Sequence, residues 1–258
     1  MKRKLYIVTM SLLLIMSLSL IGVFADVHLS KINSAEQLKS MLSDNMTEAE
    51  VSEIAAQTDE GILNEFLMEK LDEAVEQLSG QEQRPEMNLL PDGTAYGVQE
   101  YDLGDGCVLT VELTDTAEET AAISSMVPMA PAVQPDQWKA YGKRSFTAKA
   151  SASIAGVTAS MSLTHHYVLS ADGIESEKGE GKASWGKANS TTKPSAAVVS
   201  DRYAKTPGAS DVNMSCNYIF STPNSSYKYK LNTTVGYVAI DKSAKKIKVR
   251  HSWDLSKI

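Results

Sequence analysis

The spacing of apolar residues is helical in the first third of the chain and has a period of two afterwards. Between Asp59 and about Ser79, apolar residues recur every three or four positions, and acidic residues mostly fall between them. This spacing predicts an amphipathic helix with one side buried against the rest of the protein. The apolar positions are Ile62, Leu63, Phe66, Leu67, Leu71, Val75 and Leu78.

Two shorter helices are predicted before it from their capping residues. Ser34 with Gln37, and Thr47 with Glu50, have the spacing of a capping box. In this motif a hydroxyl and a side chain three residues later bind free amide groups at the start of a helix.

A β-hairpin is predicted next, around Gly104-Asp105-Gly106. Alternating apolar residues flank this turn sequence. With a three-residue loop, Tyr101 lies opposite Leu109 and Leu103 lies opposite Cys107. The residues after the turn that share the apolar face are Cys107, Leu109, Val111 and Leu113.

Residues 115–137 have the composition of a linker. Alanine, serine and methionine surround Pro128, Pro131 and Pro135, and no periodic pattern continues through them. We therefore expect a domain boundary in this segment.

Residues 138–258 alternate repeatedly between apolar and polar positions, as β-strands do. For example, Ser160, Ser162, Thr164 and His166 share one face of a strand, and the residues between them share the other. The last hairpin is predicted to pair Ile240 with Ile247 and Val238 with Val249. This pairing places a bulge at Gly236.

These patterns together predict an α+β protein. Its N-terminal part is an acidic helical region with a β-hairpin, and its C-terminal part is an antiparallel β-sandwich or barrel. The predicted divisions are 1–25 (signal peptide), 26–114 (acidic helical region with hairpin), 115–137 (linker) and 138–258 (basic all-β domain).

The first 25 residues have the organisation of a secretory signal peptide. Three basic residues precede the uncharged apolar run from Leu5 to Val23, and Val23 and Ala25 suit a cleavage site. We expect a secreted protein cleaved after Ala25. The competing interpretation is an uncleaved membrane anchor, because about 20 apolar residues can span a bilayer.

Charge divides the chain at the predicted linker. Residues 26–136 hold 24 acidic and 4 basic side chains, whereas residues 137–258 hold 18 basic and 8 acidic ones. The division indicates either an intramolecular contact between the acidic and basic halves or different partners for each half. A third interpretation is two solvated surfaces of unequal composition.

No motif predicts a catalytic, metal or cofactor site. The two cysteines, Cys107 and Cys216, occupy apolar positions in predicted strands. An exported protein can join them in a disulfide, which we give as a candidate, and two buried free thiols are the alternative. His165 and His251 are expected to be core residues rather than metal ligands.

Basic side chains alternate along two predicted C-terminal strands, so they project from one face. They are Lys228, Lys230, Lys246, Lys248 and Arg250. One interpretation is protection of a sheet edge, since charges prevent edge-to-edge pairing. The other is a face that binds an anionic cell-wall polymer or a membrane surface. Nucleic acid is not expected as a partner of an exported chain with a net charge of −7.

The run YDLGDGCVLTVEL at 101–113 and the run YGKRSFTA at 141–148, with the linker between them, resemble a group of secreted Gram-positive bacterial proteins of unassigned function. The resemblance covers about half of the chain. It implies export and the two-part organisation, and it supplies no functional residue.

The sequence therefore predicts a secreted, non-enzymatic module that binds an envelope or extracellular component. The alternative is an antimicrobial or toxin-like effector whose acidic half masks a basic β domain. A hydrolase without a recognisable motif is the third possibility.

Overall fold

The structure, a computed structural model, describes residues 31–118, 133–134, 136–186, 191–222 and 225–258. Its helices are α1 (Ala35–Met41), α2 (Glu48–Ala56) and α3 (Glu60–Leu78). Its strands are β1 (Met87–Leu89), β2 (Ala95–Gly104), β3 (Cys107–Ala117), β4 (Val133–Gln134), β5 (Asp136–Ala140), β6 (Gly142–Ile154), β7 (Val157–Ser170), β8 (Gly173–Trp185), β9 (Thr191–Pro194), β10 (Val198–Asp201), β11 (Tyr203–Ala204), β12 (Asp211–Ser221), β13 (Ser226–Asp241) and β14 (Lys246–Lys257).

The α+β prediction is wrong, because the protein is mostly antiparallel β-sheet. Strands account for 59% of the described residues and helices for 17%. The elements belong to one compact unit, Asn33–Ile258. Within the described residues the strands form two sheets and no closed barrel. This arrangement is consistent with a β-sandwich.

The larger sheet combines strands from both sides of the predicted linker. Its strand order is β11-β8-β7-β6-β3-β2-β1-β4. β3 pairs with β6 from Val108–Ser153 to Ala117–Arg144. The predicted hairpin is therefore part of the same sheet as β6, β7 and β8, because its apolar face needs the alanine-rich inner face of β6 as a neighbour.

The smaller sheet is built from the C-terminal strands. Its order is β10-β12-β13-β14-β5. β9 also pairs with β12, at residues 218–221, whereas β10 pairs with residues 213–215. Side chains of the two sheets meet in the core, where Tyr218 of β12 donates its hydroxyl to the carbonyl of Ser162 in β7 at 2.6 Å.

Helix α3 packs against strands of both sheets, which explains its buried stripe. Phe66, Leu67, Leu71 and Val75 are buried, as the helical spacing predicts. Asp72 on α3 accepts a hydrogen bond from the hydroxyl of Tyr229, 3.4 Å away. Burial of one apolar stripe stabilises the helix more than its intrinsic propensity does.

The predicted capping box is complete at α2 and only half formed at α1. The hydroxyl of Thr47 accepts the amide of Glu50, and the Glu50 carboxylate accepts the amide of Thr47. At α1, Ser34 accepts the amide of Gln37 at 3.1 Å, but the Gln37 side chain binds the amide of Asn33 instead of completing the box.

The first hairpin is confirmed with a shorter loop. Tyr101 lies opposite Leu109, but Gly104 rather than Leu103 lies opposite Cys107. The loop is then Asp105-Gly106, with φ of 54° and 74°. Two consecutive residues with positive φ give the tight turn that matches strand twist. Lys70 of α3 holds this turn through an ion pair with Asp105 at 2.7 Å.

The last hairpin is confirmed near its loop and differs at its bulge. Ile240 lies opposite Ile247, and Asp241 opposite Lys246. The register then shifts between Tyr237 and Ala239, so Tyr237 rather than Val238 lies opposite Val249. The bulge is at Val238 and not at Gly236, because Tyr237 continues the buried face.

The predicted signal peptide, 1–25, lies outside the described residues, so export and cleavage after Ala25 stay predictions. Most of the predicted linker also lies outside them, although its ends belong to β3 and to β4–β5. Within the described part of the chain, no helix is both long enough and apolar enough to cross a bilayer.

Candidate functional site

The outward side of β3, β6 and β7, together with Ser184 of β8, is an ordered surface rich in serine and threonine, which we call the hydroxyl face. Apolar residues alternate inward on β3, β6 and β7, so the polar residues between them all face outward. Pairing aligns these residues into rows across the strands. One row is Thr114, Thr147 and Thr164, and another is Thr110, Ser151, Ser160 and Ser184.

Hydrogen bonds between neighbouring strands fix several of these hydroxyls. Thr147 and Thr164 are hydrogen-bonded to each other at 3.0 Å, and Ser160 and Ser184 at 2.7 Å. Such pairing restricts side-chain rotation, so the surface is ordered before any ligand arrives. Each pair still has lone pairs to offer, because a hydroxyl accepts two hydrogen bonds and donates one.

Two of the three lysines near the middle of the hydroxyl face lie beside glutamates, and the third, Lys182, is exposed opposite Ser162. Lys149 contacts Glu112 at 2.6 Å in the row between the two hydroxyl rows. At the β8 side, Lys178 lies 3.8 Å from Glu180. The face therefore presents no block of one charge sign.

Two exposed apolar side chains extend the face onto β2. Tyr96 lies opposite Thr114 and continues the threonine row, and Val98 lies next along the strand's outer side. Their exposed fractions are 38% and 43%. The aromatic ring of Tyr96 offers a surface for stacking at one end of the row.

The predicted basic face is divided into two groups. Its residues point outward from the smaller sheet, with Lys246, Lys248 and Arg250 at one end of β14 and Lys228 and Lys230 at the far end of β13. Lys230 lies opposite Ser256 and Arg250 opposite Gly236. Six residues of β14 separate these positions, or about 20 Å at roughly 3.4 Å per residue.

Edge protection is the wrong explanation for the basic residues of β14. Residues 246–250 pair with β13 on one side and with β5 on the other. This part of β14 is therefore interior to the sheet. Lys246 is exposed, and Lys248 lies opposite Trp138 of β5, whose exposed fraction is 45%.

The side chain of Arg250 on β14 forms an ion pair with Asp136 on the neighbouring strand β5. Its guanidinium donates to both carboxylate oxygens of Asp136, at 2.7 and 3.1 Å. This bidentate contact lowers the pKa of Asp136 and raises that of Arg250.

The two cysteines are free thiols in different surroundings, so the candidate disulfide is not formed in the structure. Cys107 is buried in β3, and burial raises the pKa of its thiol to about 12. Cys216 of β12 is also buried, and its Sγ lies 3.4 Å from the carbonyl oxygen of Ser195.

A buried polar network joins the two sheets where the sequence suggested a linker. Asp115 of β3 accepts Arg144 Nη2 at 2.8 Å and the Tyr167 hydroxyl at 2.7 Å. Lys139 of β5 places its Nζ 3.1 Å from Asp115 Oδ2. His251 Nε2 lies 3.2 Å from the Tyr167 hydroxyl.

The charges of this network are set by burial and by one another. Burial favours the neutral acid at Asp115, but the facing His251, Lys139 and Arg144 hold its pKa well below the usual range. Burial lowers the pKa of Lys139. The negative charge of Asp115 raises it in part, and the positive charge of Arg144 lowers it again. Burial also lowers the pKa of His251 to about 4.

His165 has a structural environment as well. Its Nε2 is 2.8 Å from the Ser176 hydroxyl and its Nδ1 is 3.4 Å from that of Thr233. Burial lowers its pKa to about 3, so the ring is neutral in the core. Among the described residues, no group of histidine, cysteine, aspartate and glutamate has the arrangement of a metal site.

Sequence reasoning missed Asp115, Lys139, Arg144 and Tyr167. Asp115 fell in the predicted linker, and no pattern in the sequence singled out Lys139 or Arg144. One signal pointed to burial of Asp115: it continues the alternation of Val111 and Leu113, so it lies on the same side of the strand as these apolar residues. The hydroxyl face was visible in part, since the sequence placed Ser160, Ser162 and Thr164 on one side of a strand.

The described fold and surface thus define a two-sheet antiparallel β protein with an ordered hydroxyl face. No protein-family model matches the chain, and no curated protein or solved structure matches it either.

Proposed function

We propose that this protein is a secreted, non-enzymatic β-sandwich module that binds an extended, uncharged polysaccharide through the hydroxyl face. The observation that carries the proposal is the alignment of serine and threonine in two cross-strand rows, one spanning three adjacent strands and the other four. The export predicted from residues 1–25 would deliver the module to where such polymers occur.

Hydroxyl chemistry suits a sugar polymer. Sugar hydroxyls both donate and accept hydrogen bonds, as serine and threonine do. Within a row the hydroxyls are about 4.8 Å apart from strand to strand, and the two hydroxyl rows are four residues, or about 13.6 Å, apart along a strand. A polymer with repeating hydroxyls can bind such a grid at several points, so many weak contacts add up.

The charge arrangement favours a neutral polymer over an anionic one. Lys149 and Lys178 on this face already lie beside glutamates. Nucleic acids and anionic polymers need unpaired cations to replace their counterions. A membrane or a hydrophobic protein partner needs a larger apolar surface than Tyr96 and Val98 provide.

A non-enzymatic role is supported by where the reactive groups lie. Asp115, His165 and His251 are buried in the core, with partners that hold them in place. Their hydrogen bonds connect neighbouring strands, so these residues stabilise the fold.

An anionic polymer or membrane surface is the second candidate ligand. Lys246 and Lys248, next to the exposed ring of Trp138, are the observation in its favour. This surface lies on the other sheet, so variants can separate it from the hydroxyl face.

The test replaces Thr114, Thr147 and Thr164 together with valine in the mature chain 26–258. Valine keeps the shape and the β-branching but removes the hydroxyl, so the fold should persist. Each lost hydrogen bond contributes roughly 0.5–1.5 kcal/mol, so affinity for a polysaccharide should fall about 10-fold or more. The measurement is co-sedimentation with cellulose and chitin, and affinity electrophoresis in amylose and xyloglucan.

The matched control is the double variant Lys246→Gln, Lys248→Gln, which should bind like the native protein. Thermal unfolding of both variants checks the fold. If no uncharged polysaccharide is bound, or if the threonine variant binds as well as native protein, the proposal is wrong. Binding only to anionic polymer or anionic vesicles, lost in the lysine variant and at high salt, would favour the second candidate.

A further inference from the structure

A polar cleft of about 420 Å³ lies on the outer side of the smaller sheet. Its lining includes Glu82, Arg84, Asp211, Thr234, Arg250 and Ser252. Ligand sites commonly have volumes of about 300–1,000 Å³ with a few convergent polar groups. The cleft and the hydroxyl face belong to different sheets.

The floor of the cleft is a position without a side chain. Gly236 of β13 lies between Asp211 of β12 and Arg250 of β14 in one cross-strand row. Its φ is not positive, so the backbone does not require glycine there. A methyl group at Gly236 would lie 3.1 Å from Asp211 Oδ1 and 3.4 Å from Arg250 Cβ. Glycine therefore keeps open a space that any other residue would fill.

Two segments fix the walls of the cleft. Backbone hydrogen bonds of 2.8 and 3.1 Å between Gln83 and Trp253 hold the segment that carries Glu82 and Arg84. On the other side, the amide of Tyr237 donates to the carbonyl of Ser210 at 3.3 Å, next to Asp211. The cleft is therefore formed before a ligand binds.

Donors and acceptors alternate around the open space. Arg84 donates to Glu82 at 2.8 Å, and the Ser252 hydroxyl donates to Glu82 at 2.6 Å. The Ser252 hydrogen bond lowers the pKa of Glu82, which stays ionised. Asp211 makes no ion pair or side-chain hydrogen bond within the described residues, so its carboxylate is available to a ligand.

A group that enters above Gly236 meets the Asp211 carboxylate on one side and the Arg250 side chain on the other. The Arg250 guanidinium donates to Asp136 through Nε and Nη2, and since a guanidinium carries five N–H groups it keeps others for a ligand. A hydroxyl fits both, because it donates and accepts at once. The carboxylates of Glu82, Asp136 and Asp211 offset the guanidiniums of Arg84 and Arg250, so the cleft does not favour an anion.

We propose that this cleft binds a single neutral sugar unit, with a ring hydroxyl placed between Asp211 and Arg250 above Gly236. The ring lies over the glycine floor, and its other hydroxyls reach Glu82 and Arg84. The site is separate from the hydroxyl face and does not depend on the function proposed for it.

The test measures backbone amide shifts of the mature chain on titration with glucose, galactose, mannose and N-acetylglucosamine. At least one sugar should shift the amides of residues 234–237 and 250–252. Gly236→Ala fills the floor without backbone strain, so it should keep the ring hydroxyl away from Asp211 and Arg250. The lost hydrogen bonds to charged groups should weaken binding about 10-fold or more. Asp211→Ala should weaken it similarly.

Ser256→Ala is the control, since it changes a side chain on the outer side of the same sheet away from the cleft. The triple threonine variant of the hydroxyl face should bind the sugar normally, which separates this site from the proposed function. Absence of localised shifts with all four sugars would overturn the proposal. So would unchanged affinity in Gly236→Ala, or binding of glucuronate in preference to glucose.

Discussion

At the scale of single residues, the core contains ionisable groups whose pKa values are shifted by burial and by their charged neighbours. Asp115 satisfies its charge with Arg144 and Lys139, and the Tyr167 hydroxyl completes its hydrogen bonds. A buried charge without such partners is strongly unfavourable, so each member of the network depends on the others. The neutral rings of His165 and His251 sit beside this network, and protonation of either ring would add a positive charge to the core.

We therefore expect the free energy of unfolding to decrease as the pH falls from about 7 to about 5. Folding lowers the pKa of His165 from 6.5 to about 3 and of His251 from 6.5 to about 4. In this window the unfolded chain binds protons that the folded core excludes, at a cost on the order of 1 kcal/mol per pH unit for each histidine. Asp115 does not contribute there, since its ordinary pKa of 3.8 lies below the window.

Urea unfolding at several pH values measures this slope. His251→Gln should lower stability at pH 7 but give a shallower slope, because one of the two proton-binding sites of the unfolded chain is gone. A stability independent of pH over this range would contradict neutral buried histidines.

At the scale of elements, glycines let the two sheets approach where β8 meets β12. Gly181 faces inward, and a methyl group there would lie 2.3 Å from Cys216 Sγ. Gly179 makes similar room for Met214, whose Sδ would lie 1.9 Å from an added methyl. Glycine normally weakens a strand, but here it admits a larger side chain from the facing sheet.

Gly181→Ala should destabilise the protein by about 1–3 kcal/mol, since overpacking a filled core forces side chains out of position. Cys216→Ala in the same chain should restore most of the loss, because it removes the clashing sulfur. Chemical denaturation of the two single variants and the double variant gives the coupling energy. Additive losses in the double variant would show that the two positions do not compete for the same space.

At the scale of the whole molecule, the acidic and basic parts of the chain share one sheet. β2 and β3 lie inside the larger sheet, between β1 and β6. Asp115 precedes the predicted linker, and Arg144 and Lys139 follow it. This arrangement supports a binding module over an effector released by a cut in the linker.

We expect the two fragments to stay together after cleavage between residues 119 and 132. A protease site inserted there and cut should leave a complex that elutes like the intact chain in size-exclusion chromatography, because the β3–β6 pairing and the buried Asp115 remain. Intact chain carrying the same insertion is the control. Separation of the fragments in native buffer would contradict the expectation and would revive the effector hypothesis.

The sequence alone determined the features that depend on neighbours in the chain. The period of α3, the Thr47–Glu50 capping box, the two hairpins and the alternation of β7 follow from residues a few positions apart. Only the tertiary structure decided that β3 pairs with β6, that Asp115 is buried and that the bulge falls at Val238. These depend on partners far along the chain, and periodicity shows which side of a strand is buried but not which strand covers it. The hydroxyl face and the cleft at Gly236 exist only once strand register aligns residues from four strands in one case and three in the other.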